Sequence, residues 1–187
     1  LVGSEMCIRD RYYKKLDNLN PYTVDNVKIR YYGENCAKGY AMGLDVKFFG
    51  EFVPGTDSWI SFSLMKAQQT IRETTTVPMA NSQGYNISLF FQDYFPGYKR
   101  VKLNLKGVLS GGLPQTIPGK GYEAGYFRTP AYKRVDIGLS YQLAGGTDAI
   151  MDRGFFRHLK NIWLGLDVFN ILDIKNVSSY YWITDVY

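Results

Sequence analysis

Apolar and polar residues alternate one for one along most of this chain. In residues 134–143, for example, Val135, Ile137 and Leu139 alternate with Asp136 and Ser140. A period of two directs successive side chains to opposite faces of a β-strand, whereas a helix needs apolar residues three or four positions apart. The pattern predicts about seven amphipathic strands and no helix, with the strands at residues 27–32, 40–52, 59–66, 85–94, 100–109, 134–143 and 162–169.

The segments between the predicted strands alternate between short and long. Residues 53–57 and 95–99 are tight Pro-Gly turns, in which proline fixes φ and glycine supplies a positive φ. Residues 70–84 and 110–130 are long and polar, and residues 145–161 form a fairly long connection on the short-turn side. An antiparallel up-and-down arrangement of these strands has short turns at one end and long loops at the other.

Two all-β architectures fit this arrangement. A transmembrane β-barrel combines amphipathic strands of ~10 residues with short turns at one end and long loops at the other. A soluble β-sandwich or closed barrel also alternates apolar and polar positions. The membrane barrel is favoured because the opposite face is rich in Ser, Asn, Gln and Gly, and because aromatic residues of the apolar face gather near strand ends, as interfacial girdles do. These are Phe52, Phe91 and Tyr141 toward the short turns, and Tyr31 and Tyr85 toward the long loops.

Composition narrows the classes of function. The 187 residues are 16% aromatic and include 19 glycines, which suits short strands and wide turns. No apolar run approaches the ~18–20 residues of a membrane-spanning helix. The net charge of +5 is spread over alternating positions, so no basic stripe predicts nucleic-acid binding. His158 is the only histidine and no Cys/His cluster has metal-ligand spacing, so the sequence predicts no enzyme activity, no metal and no cofactor.

The first eleven residues, LVGSEMCIRDR, do not fit the pattern that follows them. They contain neither the apolar core nor the small-residue cleavage site of a signal peptide, and they resemble a translated sequencing adapter. We therefore expect residues 1–11 not to belong to the native protein, and residues 12–187 to form the folded part. A disordered natural terminus is the alternative.

Four segments carry a more specific signal: GLDVKFFGEFVPGTDSWISFSLMK, ISLFFQDYFPGYKR, PAYKRVDIGLSYQL and LGLDVFNILDIKNVSSYYWITDVY. In this order they resemble the C-terminal barrel half of TonB-dependent outer-membrane receptors, over roughly residues 22–187. The piece DVFNILDIKN is the most telling, since it is similar to the family's penultimate barrel strand running into the last extracellular loop.

The resemblance implies a fragment of an antiparallel transmembrane β-barrel, with short periplasmic turns and long extracellular loops, in the outer membrane of a Gram-negative-type bacterium. The family's N-terminal plug and final strand are expected to be missing. The implied function is active uptake of a ligand such as a siderophore, glycan or peptide. The implied partners are outer-membrane lipid, a small extracellular ligand and, through the missing N-terminal part, the TonB energy-coupling complex. The other hypothesis is a soluble or surface-attached β-sandwich or barrel with a structural or carbohydrate-binding role.

Two aromatic groups in the long loops are the candidate ligand contacts. Aromatic rings stack on flat ligands and on sugars, which makes such groups suitable for binding. The alternative is that these residues belong to an interfacial girdle or pack loops together. The candidates are Tyr122, Tyr126, Phe127 and Arg128 in the first group, and Tyr180, Tyr181 and Trp182 in the second.

Overall fold

The computed structural model describes residues 6–25, 28–53, 55–117, 121–145 and 158–183. These ranges are all-β, as the alternation predicts, apart from one 3₁₀ turn at Tyr122–Ala124. The strands are β1 (Met6–Leu19), β2 (Tyr22–Asp25), β3 (Lys28–Tyr31), β4 (Ala37–Val53), β5 (Thr56–Ile71), β6 (Thr75–Pro78), β7 (Tyr85–Phe95), β8 (Tyr98–Ser110), β9 (Pro114–Thr116), β10 (Tyr126–Arg128), β11 (Tyr132–Gly145) and β12 (Asn161–Val168).

One large antiparallel sheet contains all the long strands. Its order is β1-β4-β5-β7-β8-β11-β12, with β6 paired to β5, so each long strand lies beside the next long strand in the chain. The sheet does not close within the described ranges. Short turns join β4 to β5 and β7 to β8, where Gly55 and Gly97 have φ values of 84° and 80°. The predicted alternation of short turns and long loops is confirmed there, and most of the 145–161 connection lies outside the described residues.

The first predicted strand is wrong in its placement. Within residues 27–32, the structure forms the four-residue β3, which pairs only with β2 in a separate hairpin between β1 and β4. Tyr31 therefore does not lie on the large sheet, and the girdle position predicted for it does not apply. The side chain of Phe52 lies outside the described residues. The first strand of the large sheet is instead β1, which the alternation does not predict.

Strand pairing aligns the apolar positions of neighbouring strands. Ile60 lies opposite Phe48 and Leu89, and Leu139 lies opposite Leu103 and Leu166. We call the resulting surface the apolar face, and the opposite surface the polar face. The apolar face comprises Leu44, Val46, Phe48, Ile60, Phe62, Leu64, Ile87, Leu89, Phe91, Leu103, Leu105, Leu109, Val135, Ile137, Leu139, Tyr141, Leu164, Leu166 and Val168.

The apolar face is uncovered. None of its side chains is buried, and Leu139 and Leu166 are 43% and 66% exposed. Asp136 and Ser110 on the polar face, by contrast, are only 7% and 4% exposed. The chain exposes 13258 Å², whereas a soluble monomer of 21.4 kDa exposes roughly 9,100 Å². The large sheet is thus a single layer whose apolar surface has no protein packed on it in the described part of the chain.

Side chains on the polar face bind one another across strands. The Gln92 amide donates to Asn104 Oδ1 at 2.6 Å, and Lys106 Nζ lies 3.5 Å from Asp167 Oδ1. Gly138 makes room for this group, because a Cβ there would collide with the Asp167 carboxylate. Cross-strand pairs of this kind stabilise a sheet and fix its register. The polar face is therefore an internally bonded surface.

The register of β1 places charge on the apolar face. Arg9 lies opposite Val46 and Arg11 lies opposite Leu44, so two guanidinium groups share the face of the aliphatic residues. Tyr13 lies opposite Met42 on the same face, and Lys15 lies opposite Tyr40, so a third cation follows beyond residue 11. The absence of residues 1–11 from the native protein stays a prediction, and it would account for Arg9 and Arg11 but not for Lys15.

A small buried core lies where the ends of the strands meet the long loops. It contains Ala37, Ile71, Val77 and Tyr122, and partly buried Leu19, Tyr32 and Cys36 pack against it. These residues come from the loop-side ends of β1, β4 and β5, from β6 and from the long loops. Local contacts therefore tie the loops to the strand ends.

Two glycines provide a test of how tightly this end of the sheet is packed. A Cβ on Gly39 would lie 2.5 Å from the Gln68 carbonyl oxygen and 2.7 Å from Met79 Cε. Because the carbonyl belongs to a paired strand, we expect Gly39→Ala to lower the free energy of unfolding by about 1–3 kcal/mol. A Cβ on Gly107 would lie 3.7 Å from Leu89 Cβ, which is an ordinary contact. Gly107→Ala should therefore change the free energy of unfolding by less than ~0.5 kcal/mol. Urea unfolding measures both, and equal losses would contradict the packing described.

Candidate functional site

The long loops meet at one end of the large sheet, which we call the loop end. The loops join β5 to β7 and β8 to β11, and a third follows β12. All seven candidate ligand contacts lie in the second and third of these loops. Side chains from separate loops can form one surface there, because consecutive antiparallel strands bring alternate connections to the same end of the sheet.

One candidate residue, Phe127, contacts two others. The ring of Phe127 in β10 lies edge-on to Tyr180, with centroids 5.4 Å apart and an interplanar angle of 81°. The same ring lies edge-on to Trp182, at 6.2 Å and 76°. Such edge-to-face pairs stabilise the contact beyond the area that they bury. We call Phe127, Tyr180 and Trp182 the aromatic trio. It brings together residues of both candidate groups, which are about fifty positions apart in the sequence.

The other candidates differ in how accessible they are. Tyr126 and Tyr181 are exposed, and no ring contact joins them to the trio. Arg128 donates from Nη1 to the carbonyl oxygens of Ser82 and Gly112, at 2.7 and 2.9 Å. This guanidinium therefore ties two loops together.

Tyr122 is buried instead of presented to solvent. It is 3% exposed and belongs to the loop core with Ile71 and Val77. Burial raises the pKa of its hydroxyl to about 12, with smaller contributions from Tyr22 and Tyr32. Its surroundings match the loop-packing alternative more closely than ligand contact.

A cavity of about 670 Å³ opens beside the aromatic trio. Two rings, Tyr132 and Tyr180, contribute to its wall. Of the seven candidates only Tyr180 lines it, so sequence reasoning missed most of the wall. No motif or period in the sequence distinguishes these residues, because they are polar loop residues that lie close together only in the folded chain. The polar wall consists of Gln83, Ser110, Gln115, Thr129, Ser178 and Ser179.

The loop after β12 is held against the edge of β11. Ile171 N donates to the Val135 carbonyl at 2.9 Å. The Asn176 side chain accepts from Lys133 N at 2.9 Å and donates to Lys133 O at 2.7 Å. This amide therefore makes both bonds that a neighbouring strand would make with that residue. The segment carrying Tyr180 and Trp182 is fixed by these bonds.

A buried carboxylate anchors the start of the same loop. Asp136 accepts from Arg134 Nε at 2.7 Å and from the backbone N–H of Asn170 at 2.8 Å. Asn170 has a φ of 53°, and its side chain bonds both N and O of Ile174 at 3.2 and 3.1 Å. Arg134 also lies over the Phe169 ring at 5.0 Å. DVFNILDIKN is thus a strand end followed by a turn that polar side chains of β11 hold in place.

The described ranges contain no group of three or more His, Cys, Asp or Glu side chains placed to hold a metal ion. Within the same ranges no helix is long and apolar enough to cross a membrane. The loop end offers aromatic surface, hydroxyl groups and amides around a cavity. No family model, curated protein or solved structure that was compared with the chain matches it.

The raised pKa of Tyr122 predicts a loss of stability in alkali. The folded protein keeps this proton up to pH about 12, whereas the unfolded chain releases it near the ordinary value of about 10. The stabilisation is therefore fully present below pH ~10 and is lost as the pH rises through ~12. We expect Tyr122→Phe to flatten this part of the profile. Urea unfolding from pH 8 to 12 compares the two proteins, and parallel profiles would contradict a buried hydroxyl.

Asn176 offers a second test. Asn176→Leu removes both bonds to Lys133, so we expect exchange of the Lys133 amide hydrogen to accelerate by about tenfold, as one lost hydrogen bond implies. Asn176→Asp keeps the oxygen that accepts from that amide and should leave its exchange nearly unchanged. Hydrogen exchange followed at this residue measures both variants. Equal protection in the unchanged protein and in Asn176→Leu would show that the amide clamp does not hold the loop.

Proposed function

We propose that this chain is part of the barrel wall of a TonB-dependent outer-membrane receptor that takes up an extracellular ligand. The observation that carries the proposal is the exposure pattern of the large sheet. Its aliphatic face is uncovered, while the buried, hydrogen-bonded Asp136 and the buried Ser110 lie on its polar face. The order of sequence segments that resembles the receptor family supports the same function.

The exposure pattern matters because apolar surface in water is unfavourable by about 25 cal/mol per Å². A soluble sandwich removes such a face from water by packing a second layer on it. No second layer is present in the described ranges, and Leu164, Leu166 and Val168 of β12 are all exposed. Lipid acyl chains provide the apolar surroundings that this face needs. The sheet accordingly lies in the outer membrane with its apolar face toward lipid.

The polar face suits the hydrated interior of a barrel. Two of its lysines lie near aromatic rings of the same face: Lys102 Nζ is 5.0 Å from the Tyr94 ring and 5.1 Å from the Trp163 ring. Lys47 Nζ lies 5.2 Å from the ring of Trp59 in the same way. These ammonium groups stay away from lipid, where an unpaired charge is unfavourable.

The two ends of the sheet then have different surroundings. The short turns face the periplasm, and the loop end faces outward, where it meets the ligand. Energy for uptake comes from the TonB complex through the plug and N-terminal segment of the parent receptor. The chain itself binds and transports without catalysis, and nucleic acid is not among its partners.

A lysine placed on each face tests the proposal in the parent receptor. Leu139 lies opposite Leu103 and Leu166, so Leu139→Lys puts an ammonium into lipid and should lower barrel stability by roughly 2–4 kcal/mol. Ser63 on the polar face lies opposite Asp45 and Asn86, so Ser63→Lys should cost less than ~1 kcal/mol. Reversible unfolding in lipid or detergent measures both variants.

The outcomes separate the membrane barrel from the soluble alternative. A larger loss for Ser63→Lys would mean that the polar face is packed and the apolar face is wet, which would overturn the assignment of lipid and lumen. A parent protein that melts cooperatively as a monomer in water without detergent would favour the soluble sandwich. Migration that changes on heating in detergent, as folded barrels show, would support the receptor.

A further inference from the structure

We propose that the loop-end cavity binds an uncharged, hydroxyl-rich ligand, namely a neutral oligosaccharide. This inference rests on the proposed uptake function and names the class of ligand for the same site. It is carried by the composition of the cavity wall and by the way in which one of its rings is fixed.

The described wall of the cavity carries no charged side chain. Arg128, the one charged candidate, directs its guanidinium to the carbonyls of Ser82 and Gly112. A siderophore complex or an acidic peptide would lose hydration on entering and find no opposite charge on the wall. Burying a charge without a partner is strongly unfavourable, so the wall selects against anionic ligands.

The polar groups of the wall match sugar hydroxyls in kind. The hydroxyl groups of the exposed Ser178 and Ser179 both donate and accept hydrogen bonds, and the amides of Gln83 and Gln115 do the same. Thr129 Oγ1 already accepts from Leu113 N at 2.9 Å and keeps its own proton to donate. A sugar hydroxyl also donates and accepts, so each such group finds a partner in either direction. The cavity volume of about 670 Å³ falls within the range of small-molecule sites, about 300–1,000 Å³.

An immobilised ring completes the site. Tyr180 lines the cavity and is 39% exposed, and its edge contact with Phe127 fixes its orientation. Trp182 packs on the same Phe127 ring and is half exposed, so it extends the aromatic surface beyond the cavity. The C–H face of a sugar ring packs on such a surface. Because the ring is already ordered, binding loses little side-chain entropy.

The experiment uses the full parent receptor and a defined set of probes. The neutral probes are hexasaccharides of amylose, mannan, xylan and galactan, and the comparison probes are hexagalacturonate and a ferric tricatecholate. Titration calorimetry measures each affinity for the unchanged receptor and for Tyr180→Ala, Tyr180→Phe and Tyr98→Ala. Tyr98 is an exposed tyrosine at the start of β8, on the short-turn side.

We expect at least one neutral hexasaccharide to bind, and Tyr180→Ala to weaken it by at least ~10-fold. Tyr180→Phe keeps the ring and Tyr98→Ala lies away from the cavity, so both should stay within ~3-fold. Binding of the acidic or ferric probe alone, binding of no neutral probe, or neutral binding that Tyr180→Ala leaves unchanged would overturn the inference. A receptor that inserts into membranes yet binds only charged probes refutes the ligand class alone. A water-soluble parent that binds a neutral probe through Tyr180 refutes the membrane role alone.

Discussion

The register of strand pairing is the constraint on which the rest of this structure depends. Side chains alternate between faces, so a slip of one residue between two strands moves every apolar side chain of a strand to the other face. The pairs Phe48 with Ile60, Ile60 with Leu89 and Leu139 with Leu103 keep the apolar positions together across five strands. The same register brings Gln92 to Asn104 and Lys106 to Asp167 on the polar face. The register of strand pairing therefore determines the composition of both the apolar face and the polar face.

The loop end depends on the same sheet through β11. Residues 132–136 of this strand pair with β8 on one side only, and the loop after β12 occupies the other side. Asp136 and Lys133 hold Asn170 and Asn176 there, and the chain between and after these two residues leads to Tyr180. The position of the cavity wall is thus set by polar contacts to a strand. This arrangement places a binding surface on a rigid support, although its residues belong to loops.

The sequence predicted those parts of the fold in which one local rule decides the outcome. Six of the seven predicted strands coincide with long strands of the sheet, because each has strict alternation and ends at a turn signal. β1 could not be predicted this way, since MCIRDRYYKKLDNL carries charge on both faces and is defined only by pairing with β4. β3 alternates like the others, but periodicity cannot distinguish a short loop hairpin from a strand of the main sheet.

The candidate site, too, was predictable from the sequence only where local features mark it. Aromatic loop residues indicated the right region, and Phe127, Tyr180 and Trp182 do meet. Their mutual contact, the burial of Tyr122 and the polar wall around Gln83 and Ser178 all depend on how the three long loops and the β1–β4 connection fold over one another. No period or motif in the chain encodes such contacts between distant loops.

The amide of Asn176 has a consequence for how this protein meets other chains. An uncovered strand edge can accept a foreign strand, and that is a common route to misassembly. At the loop end of β11 the N–H and C=O of Lys133 are already bonded to one side chain, and the Val135 carbonyl is bonded to Ile171. An intruding segment would have to displace three hydrogen bonds before forming its own. Asn176, together with the backbone N–H of Ile171, thus protects this part of the edge against strand addition without lengthening the sheet.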